Sequence, residues 1–319
     1  GIAAVYDTDP ERISAFLSAF PEAKPAASVE AVLEDQAIDL VASAAIPYRR
    51  GSLGQRVQEA GKHFFVDKPP FTTYEQLKAA RRSCESTGKK WAVCYTERLL
   101  SEAAVFASQL LEEGAIGRVV QVLGLGPHKL RADERRSWFF RRDEYGGILT
   151  DIGSHQVEQF LHYSGAREAL VLSSQVGNLG HPEYPELEDF GEACLKGENG
   201  TAGYFRVDWF TPEGLSTWGD GRTFILGTRG YIELRKYVDL AREKTTDHCY
   251  LVDGNGEHHF SLAGEVGFPY FGALIEDCIN GSESAMLQDH AFKAAEIALL
   301  AQQKATLIEG KEAEVWRGE

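Results

Sequence analysis

Over residues 1 to 95, short apolar runs alternate with capped helical segments, and that rhythm restricts the fold more than any other feature of this 319-residue chain. Ile2 to Tyr6 is an apolar run closed by Asp7. Asp9, Pro10 and Glu11 then read as the N-cap, first-turn proline and acidic first turn of a helix reaching about Phe20. Ser28 caps another short helix. Ile38 to Ala45 shows no polar alternation, as a strand buried on both faces requires. A helix near Arg50 to Ala60 stops at Gly61, and His63 to Val66 is the next strand. Thr73 with Gln76 forms a capping box for a helix ending near Gly88, and Trp91 to Tyr95 is a further strand. Repeated β-α-β units of this kind predict an α/β fold with a doubly wound parallel sheet.

The texture changes after Tyr95. A helix is expected from about Ser101 to Glu113, with Gly114 as its stop, and a strand from Arg118 to Leu125. Gly126 to Tyr145 has no clear periodicity, and loops of that length in a compact domain are usually functional or disordered. Leu170 to about Leu234 is rich in strand patterns, with turn signals at Glu198-Asn-Gly200, Gly219-Asp-Gly221 and Gly227-Thr-Arg-Gly230, which suits an antiparallel sheet. Helices near Tyr270 to Asn280 and His290 to Ile308 follow. The length also favours two domains, placed at 1–97 and 98–319.

Composition narrows the function. A net charge of −15 disfavours nucleic acid and anionic membranes as partners, and no apolar run approaches the length of a membrane span. The five cysteines form no CxxC pair, which reads as reduced thiols in a cytoplasmic protein; no metal site is expected from them. Two segments carry candidate chemistry. Tyr145-Gly-Gly-Ile-Leu-Thr-Asp-Ile-Gly-Ser-His155 sets Asp151 and His155 four residues apart on one helix, and Val66-Asp-Lys-Pro69 sets Lys68 at a strand end ahead of a stiffening proline. Asp151, His155, Glu158 and His162 fall on one stripe opposite Leu149, Ile152, Val157 and Phe160, so pattern alone also fits an amphipathic helix with a solvated polar face. Lys68 alone also fits a surface lysine.

Four segments in order resemble the Gfo/Idh/MocA family of nicotinamide-dependent oxidoreductases: Ala60-Gly-Lys-His63 leading to Asp67-Lys-Pro69, Glu113-Gly-Ala-Ile-Gly117, Gly146-Gly147 through Asp151 and His155, and Gly227-Thr-Arg-Gly230. The resemblance covers nearly the whole chain. It implies a Rossmann-like domain followed by a C-terminal α/β domain on an open, mostly antiparallel sheet, and redox chemistry at carbonyl–alcohol centres of sugars, inositols and related polyols. It departs from the family at the start, because no segment matches the GxGxxG turn that cradles a pyrophosphate. The first strand is therefore expected to be missing, either because about 25 to 30 upstream residues are absent from this sequence or because the domain no longer binds a dinucleotide.

The resemblance assigns His155 as general acid/base, Asp151 as its orienting partner and a substrate contact, and Lys68 as the charge that stabilises a developing alkoxide. Asp7, at a strand end, would hold ribose hydroxyls and repel a 2′-phosphate, favouring NAD over NADP. Ala45, Pro47, Asp67 and Lys68 complete the expected cofactor contacts. The segment from Pro127 to Asp143 clusters His128, Lys129, Arg131, Arg135, Arg136, Arg141 and Arg142 with Trp138, Phe139 and Phe140. His128 and Trp138 are expected substrate contacts, and an arginine there could pair with a carboxylate. The leading expectation is an NAD-dependent oxidoreductase of a sugar-like or polyol substrate, working as a homodimer or homotetramer through its C-terminal sheet. Redox-neutral elimination from a glycoside with retained NAD, and a non-catalytic sugar-sensing protein on the same fold, are the alternatives.

Overall fold

The computed structural model describes residues 1–308. The first half runs β1 (Ala4–Val5), α1 (Pro10–Ala19), β2 (Lys24–Pro25), α2 (Val29–Glu34), β3 (Leu40–Ser43), α3 (Pro47–Glu59), β4 (His63–Asp67), α4 (Tyr74–Thr87) and β5 (Trp91–Cys94). Every strand pairing in it is parallel, but the pairings fall into two sheets. β1 pairs with β2, while β3, β4 and β5 form a separate three-stranded sheet in that order. The caps act as their residue types dictate. Asp9 accepts from the Glu11 amide, Ser28 from Ala31 and Thr73 from Gln76. The capping box closes one residue early, because the Gln76 carboxamide accepts from the Thr72 amide rather than from that of Thr73. Gly54 of α3 lies flat on the Trp91 ring, where a Cβ would overlap the indole.

The second half continues α5 (Thr96–Leu99), α6 (Glu102–Glu112) and β6 (Val119–Pro127). The aperiodic segment after β6 folds into two 3-10 turns, Ala132–Glu134 and Ser137–Phe140, and the short helix α7 (Arg142–Tyr145). Then come α8 (Ile148–Asp151), α9 (Gly153–Ser164), β7 (Ala169–Gly177), β8 (Phe190–Gly197), β9 (Ala202–Asp208), β10 (Arg222–Gly227), β11 (Tyr231–Arg235), β12 (His248–Asp253), β13 (Gly256–Ser261), α10 (Tyr270–Asn280), α11 (Gln288–Lys304) and β14 (Thr306–Leu307). The expected last helix thus stops short of Ile308: the chain turns extended at Ala305 and adds a strand to β7. One nine-stranded sheet results, in the order β13-β12-β11-β10-β6-β9-β8-β7-β14, antiparallel except at β6·β9 and β7·β14.

Helices α6, α9 and α11 pack against this sheet. Gly124 and Gly126 of β6 face Gln156 of α9, where any side chain would collide with the carboxamide. These two glycines let the helix approach the strand closely and do not cradle a phosphate. Along β7 to β11 buried residues alternate with half-buried or exposed ones, and Leu170, Leu172, Leu226 and Tyr231 are exposed. The solvated stripe that pattern allowed on α9 does not exist: every residue from Gly153 to Leu161 is buried, Glu158 included. Its charge is met by a bidentate contact from Arg98 and by His290.

Helix α11 joins the two halves. Phe292 lies edge-on to Phe71 and Trp91, Tyr95 donates to the Ala291 carbonyl, and Arg81 pairs with Asp289 and Glu296. Burial of these aromatic rings fixes the angle between the halves and so the position of Lys68 relative to Asp151. Among the described residues no helix is long and apolar enough to cross a membrane.

Candidate active site

Lys68 follows β4 directly. Its backbone is set by Arg50, which is 4% exposed and donates to the carbonyls of Ala45, Asp67 and Pro69 at 2.6, 2.9 and 2.9 Å. One guanidinium therefore ties the end of β3 to the end of β4, and the Lys68–Pro69 peptide is cis. From there Lys68 Nζ reaches into the second half of the chain and donates to Asp151 Oδ1 at 2.7 Å.

Asp151 is placed by the two glycines ahead of it. Gly146 and Gly147 have φ of +91° and +94°, where a side chain is strained, and a Cβ on Gly147 would also strike Gln302 and Arg142. The turn they make leaves α8 without a residue to cap it. The Glu188 carboxylate accepts from the Ile148 amide and the Gln302 carboxamide from that of Leu149, at 2.8 and 2.9 Å. Burial disfavours the ionised Asp151, but the charge and hydrogen bond of Lys68 outweigh it and hold the carboxyl below its usual range.

His155 sits one turn later, 2% exposed, with the Tyr95 ring edge-on at 6.2 Å. Neither ring nitrogen has a hydrogen-bond partner among the described residues, and Nδ1 is fully buried. Burial, reinforced by Lys68 and His128, pushes the imidazole down to about 3 against the opposing charge of Glu97. It is neutral over the physiological range. Asp151 does not orient it through a hydrogen bond as expected, since among the described residues its only side-chain partner is Lys68.

Beneath His155 lies a network that the sequence reading passed over. Glu97 Oε2 accepts from Gln156, Gln159 and Lys236 at 2.7, 3.2 and 3.2 Å, while Lys236 also donates to Gln159 Oε1 at 2.5 Å. Burial opposes ionisation of Glu97, yet Lys236 and the nearby histidines bring it down to about 2. His128 Nε2 stands 3.9 Å from Glu97 Oε1, its Nδ1 is 3.1 Å from the Gly126 carbonyl, and its ring packs edge-on against Trp209 and Trp218. A signal for Glu97 was available: it follows β5 as Lys68 follows β4, and carboxyl ends of parallel strands are where sites form.

The structure therefore gathers Lys68, Asp151, His155 and His128. The Trp138 ring packs on Phe139, while the rings that line His128 are Trp209 and Trp218. Asp7, Ala45, Pro47 and Asp67 all lie at the carboxyl ends of β1, β3 and β4. Asp7 accepts from the Asp9 amide through Oδ1 alone, leaving Oδ2 without a protein partner among the described residues. The Asp67 carboxylate stands 3.8 Å from Arg50 and is 42% exposed. The Ala45 carbonyl accepts from Arg50, the Ala45 amide donates to Ser43 Oγ, and Pro47, buried as the first residue of α3, has no N–H, so these two shape the edge rather than offer hydrogen bonds. A second group of ligand-type atoms, on Asp239, His248 and His259, lies within 4.8 Å, but the Asp239 carboxylate is already taken by Arg235, Tyr250 and the Ala241 amide.

Two family models match this chain. Residues 1–95 match the oxidoreductase family, NAD-binding Rossmann fold, and residues 105–233 match the GFO/IDH/MocA C-terminal domain. A solved structure from Erwinia carotovora atroseptica SCRI1043, assigned provisionally as an oxidoreductase, is 50% identical with a TM-score of 0.93, covering 96% of this chain and 92% of its own. The D-xylose dehydrogenase of Paenarthrobacter nicotinovorans is 26% identical over 40% of this chain, and the levoglucosan dehydrogenase of Pseudarthrobacter phenanthrenivorans is 29% identical over 56% of it. The chain spans 34% and 46% of those two proteins.

Proposed function

Because this chain belongs to the Gfo/Idh/MocA family of oxidoreductases, we propose that it is a nicotinamide-dependent dehydrogenase acting on a secondary alcohol of a sugar or polyol. The observation that carries the proposal is the 2.7 Å Lys68–Asp151 pair beside a buried histidine held neutral. A bound nicotinamide dinucleotide supplies the two-electron acceptor that no side chain here can provide. The residues at the strand ends fit its adenosine half: Asp7 Oδ2 is free to accept from a ribose hydroxyl, and its charge repels a 2′-phosphate, so NAD is the expected form.

The chain's own groups handle the proton. An alcohol is too weak an acid to ionise unaided near neutral pH. Lys68, fixed by Asp151, presents a positive charge to the oxygen as negative charge grows there. Among the described residues the ring nitrogens of His155 have no partner, so one is open to take the hydroxyl proton, with the charge of Glu97 favouring the imidazolium against burial, and on the reverse path it returns it. His128 and the indoles of Trp209 and Trp218 form a wall for the rest of the substrate.

We place the enzyme in the cytoplasm, consistent with five free cysteines, and assign the exposed apolar residues of the nine-stranded sheet to a homodimer or homotetramer contact. Light scattering that gives a monomer at micromolar concentration excludes that contact. The activity is tested by following reduced-nicotinamide absorbance with the full-length gene product over sugars, inositols and anhydrosugars. Turnover with NAD that vanishes in Lys68→Ala supports the reading; the absence of turnover on every substrate removes it. Product formed with no net change in cofactor redox state points to elimination instead, and ligand binding without turnover to the sensor.

A further inference from the structure

Seven basic side chains lie between His128 and Arg142, and six have an acidic partner. His128 faces Glu97 at 3.9 Å, Lys129 meets Glu213 at 3.5 Å, and Arg131 meets Glu134 at 3.5 Å. Arg136 reaches Asp9 at 2.6 Å, Arg141 reaches Glu144 at 3.2 Å, and Arg142 reaches Glu188 at 3.0 Å. Arg135 alone has no carboxylate within salt-bridge distance among the described residues. Exposure to water does not explain this. The guanidinium carbon lies 4.2 Å from the Phe139 ring centre and 5.2 Å from those of Trp209 and Trp218. Nε donates to the Leu130 carbonyl at 3.0 Å, which fixes the plane. Among the described residues neither terminal nitrogen has a protein acceptor, and Nη2 is buried, which leaves Nη1 as the donor on offer.

Trp209 and Trp218, which hold Arg135, are also the rings against His128, so the arginine packs directly against two of the rings of the proposed substrate wall. The charges of Asp151 and Glu134 act on it from a distance, but neither acid pairs with it. Asp151 is held by Lys68 and Glu97 by Lys236. Cation–π contact with three rings orients a guanidinium but does not cancel its charge. A half-buried cation in a fixed plane, with its donors unspent, is a receptor for an anion.

We propose that Arg135 binds a carboxylate on the substrate, so that the preferred substrates are polyhydroxy acids such as uronates rather than neutral sugars. This rests on the dehydrogenase reading above. The carboxylate is a spectator: no bond to it forms or breaks. The alcohol carbon loses two electrons and one hydrogen to the nicotinamide, and the hydroxyl proton passes to His155.

The test compares kcat/KM on matched pairs, D-glucose with D-glucuronate and D-galactose with D-galacturonate, in wild type, Arg135→Lys and Arg135→Met. The expected result is an acid preference of about 10²-fold in at least one pair, the usual scale for a desolvated charge contact. Arg135→Met abolishes that preference through KM and leaves the neutral member unchanged, while Arg135→Lys keeps part of it. A neutral preference in every pair overturns the proposal, as does an equal loss on both members in Arg135→Met. If nothing is turned over, the dehydrogenase reading fails, and saturation-transfer NMR with D-glucuronate and D-galacturonate judges the arginine separately. Binding of either acid that is lost in Arg135→Met upholds it; no binding, or binding indifferent to the variant, overturns it.

Discussion

Two lysine–carboxylate pairs flank His155, and they differ in setting rather than in chemistry. Lys68–Asp151 joins residues from the two halves, with side chains 17% and 12% exposed, and the acid has no other side-chain partner among the described residues. Lys236–Glu97 lies wholly within the interior, at 0% and 2%, and two glutamines share the acid's Oε2. The first keeps donor and acceptor capacity at a place a ligand can reach. The second is sealed from solvent and acts as a fixed local field: Glu97 Oε1, without a hydrogen-bond partner among the described residues, faces His128, and the charge opposes the depression of His155. Reachability therefore separates a pair suited to chemistry from one suited to holding the site.

Removing each lysine tests that distinction most sharply. Lys68→Ala is expected to lower kcat/KM by about 10³-fold, the scale of a lost transition-state charge contact, with a small shift in melting temperature. Lys236→Met should do the reverse in kind. It leaves Glu97 charged and uncompensated in the interior, at a cost of about 3–5 kcal/mol in denaturant unfolding, and Glu97→Gln in the same chain should recover much of it. Equal stability losses from the two lysine substitutions would erase the comparison.

Acid titration sharpens it next. His155 and His162 are both depressed from 6.5 to about 3 by burial, so between those limits the unfolded chain binds protons that the folded chain does not. Stability is present above pH 6.5 and lost as pH falls toward 3. Glu97, lowered from 4.5 to about 2, adds a loss in the same direction below pH 4.5. Urea midpoints measured from pH 8 to pH 4 should be flat and then fall below pH 6.5, and His155→Asn should flatten part of that fall. The smallest effect concerns how the interior pair is held. Gly124→Ala pushes on Gln156, a partner of Glu97, and should cost about 1–3 kcal/mol while altering activity less than Lys68→Ala does.

Much of the first half was legible because its signals are local. Asp9, Ser28 and Thr73 cap helices through amides two or three residues away, and Gly88 ends its helix in the left-handed region, as a residue without Cβ does at no steric cost. The strands and turns of the large sheet followed from alternation and glycine placement. Lys68, Asp151, His155 and His128 were named from motif and position. The failures share one cause. The polar stripe on α9 was open to a solvated reading because a helical wheel cannot show that Arg98 and His290 arrive from elsewhere to satisfy Glu158. Trp209 and Trp218 went unnamed because they lie far from the basic cluster in sequence, and no local rule ranks aromatic residues by what they will face.

The order of caps, strands and glycines dictated by itself a parallel α/β half followed by a mostly antiparallel sheet, because those preferences arise within a few residues of backbone. Which charges would be paired was decided only when the chain closed on itself. Lys68 lies 83 residues from Asp151 and Lys236 lies 139 from Glu97, and no local preference reaches so far. The packing of α11 across both halves and the burial of α9 set those distances, and burial then required each interior charge to find a counter-ion, as Glu97 did in Lys236, or neutral hydrogen-bond partners, as Asp277 did in two serine hydroxyls and two backbone amides.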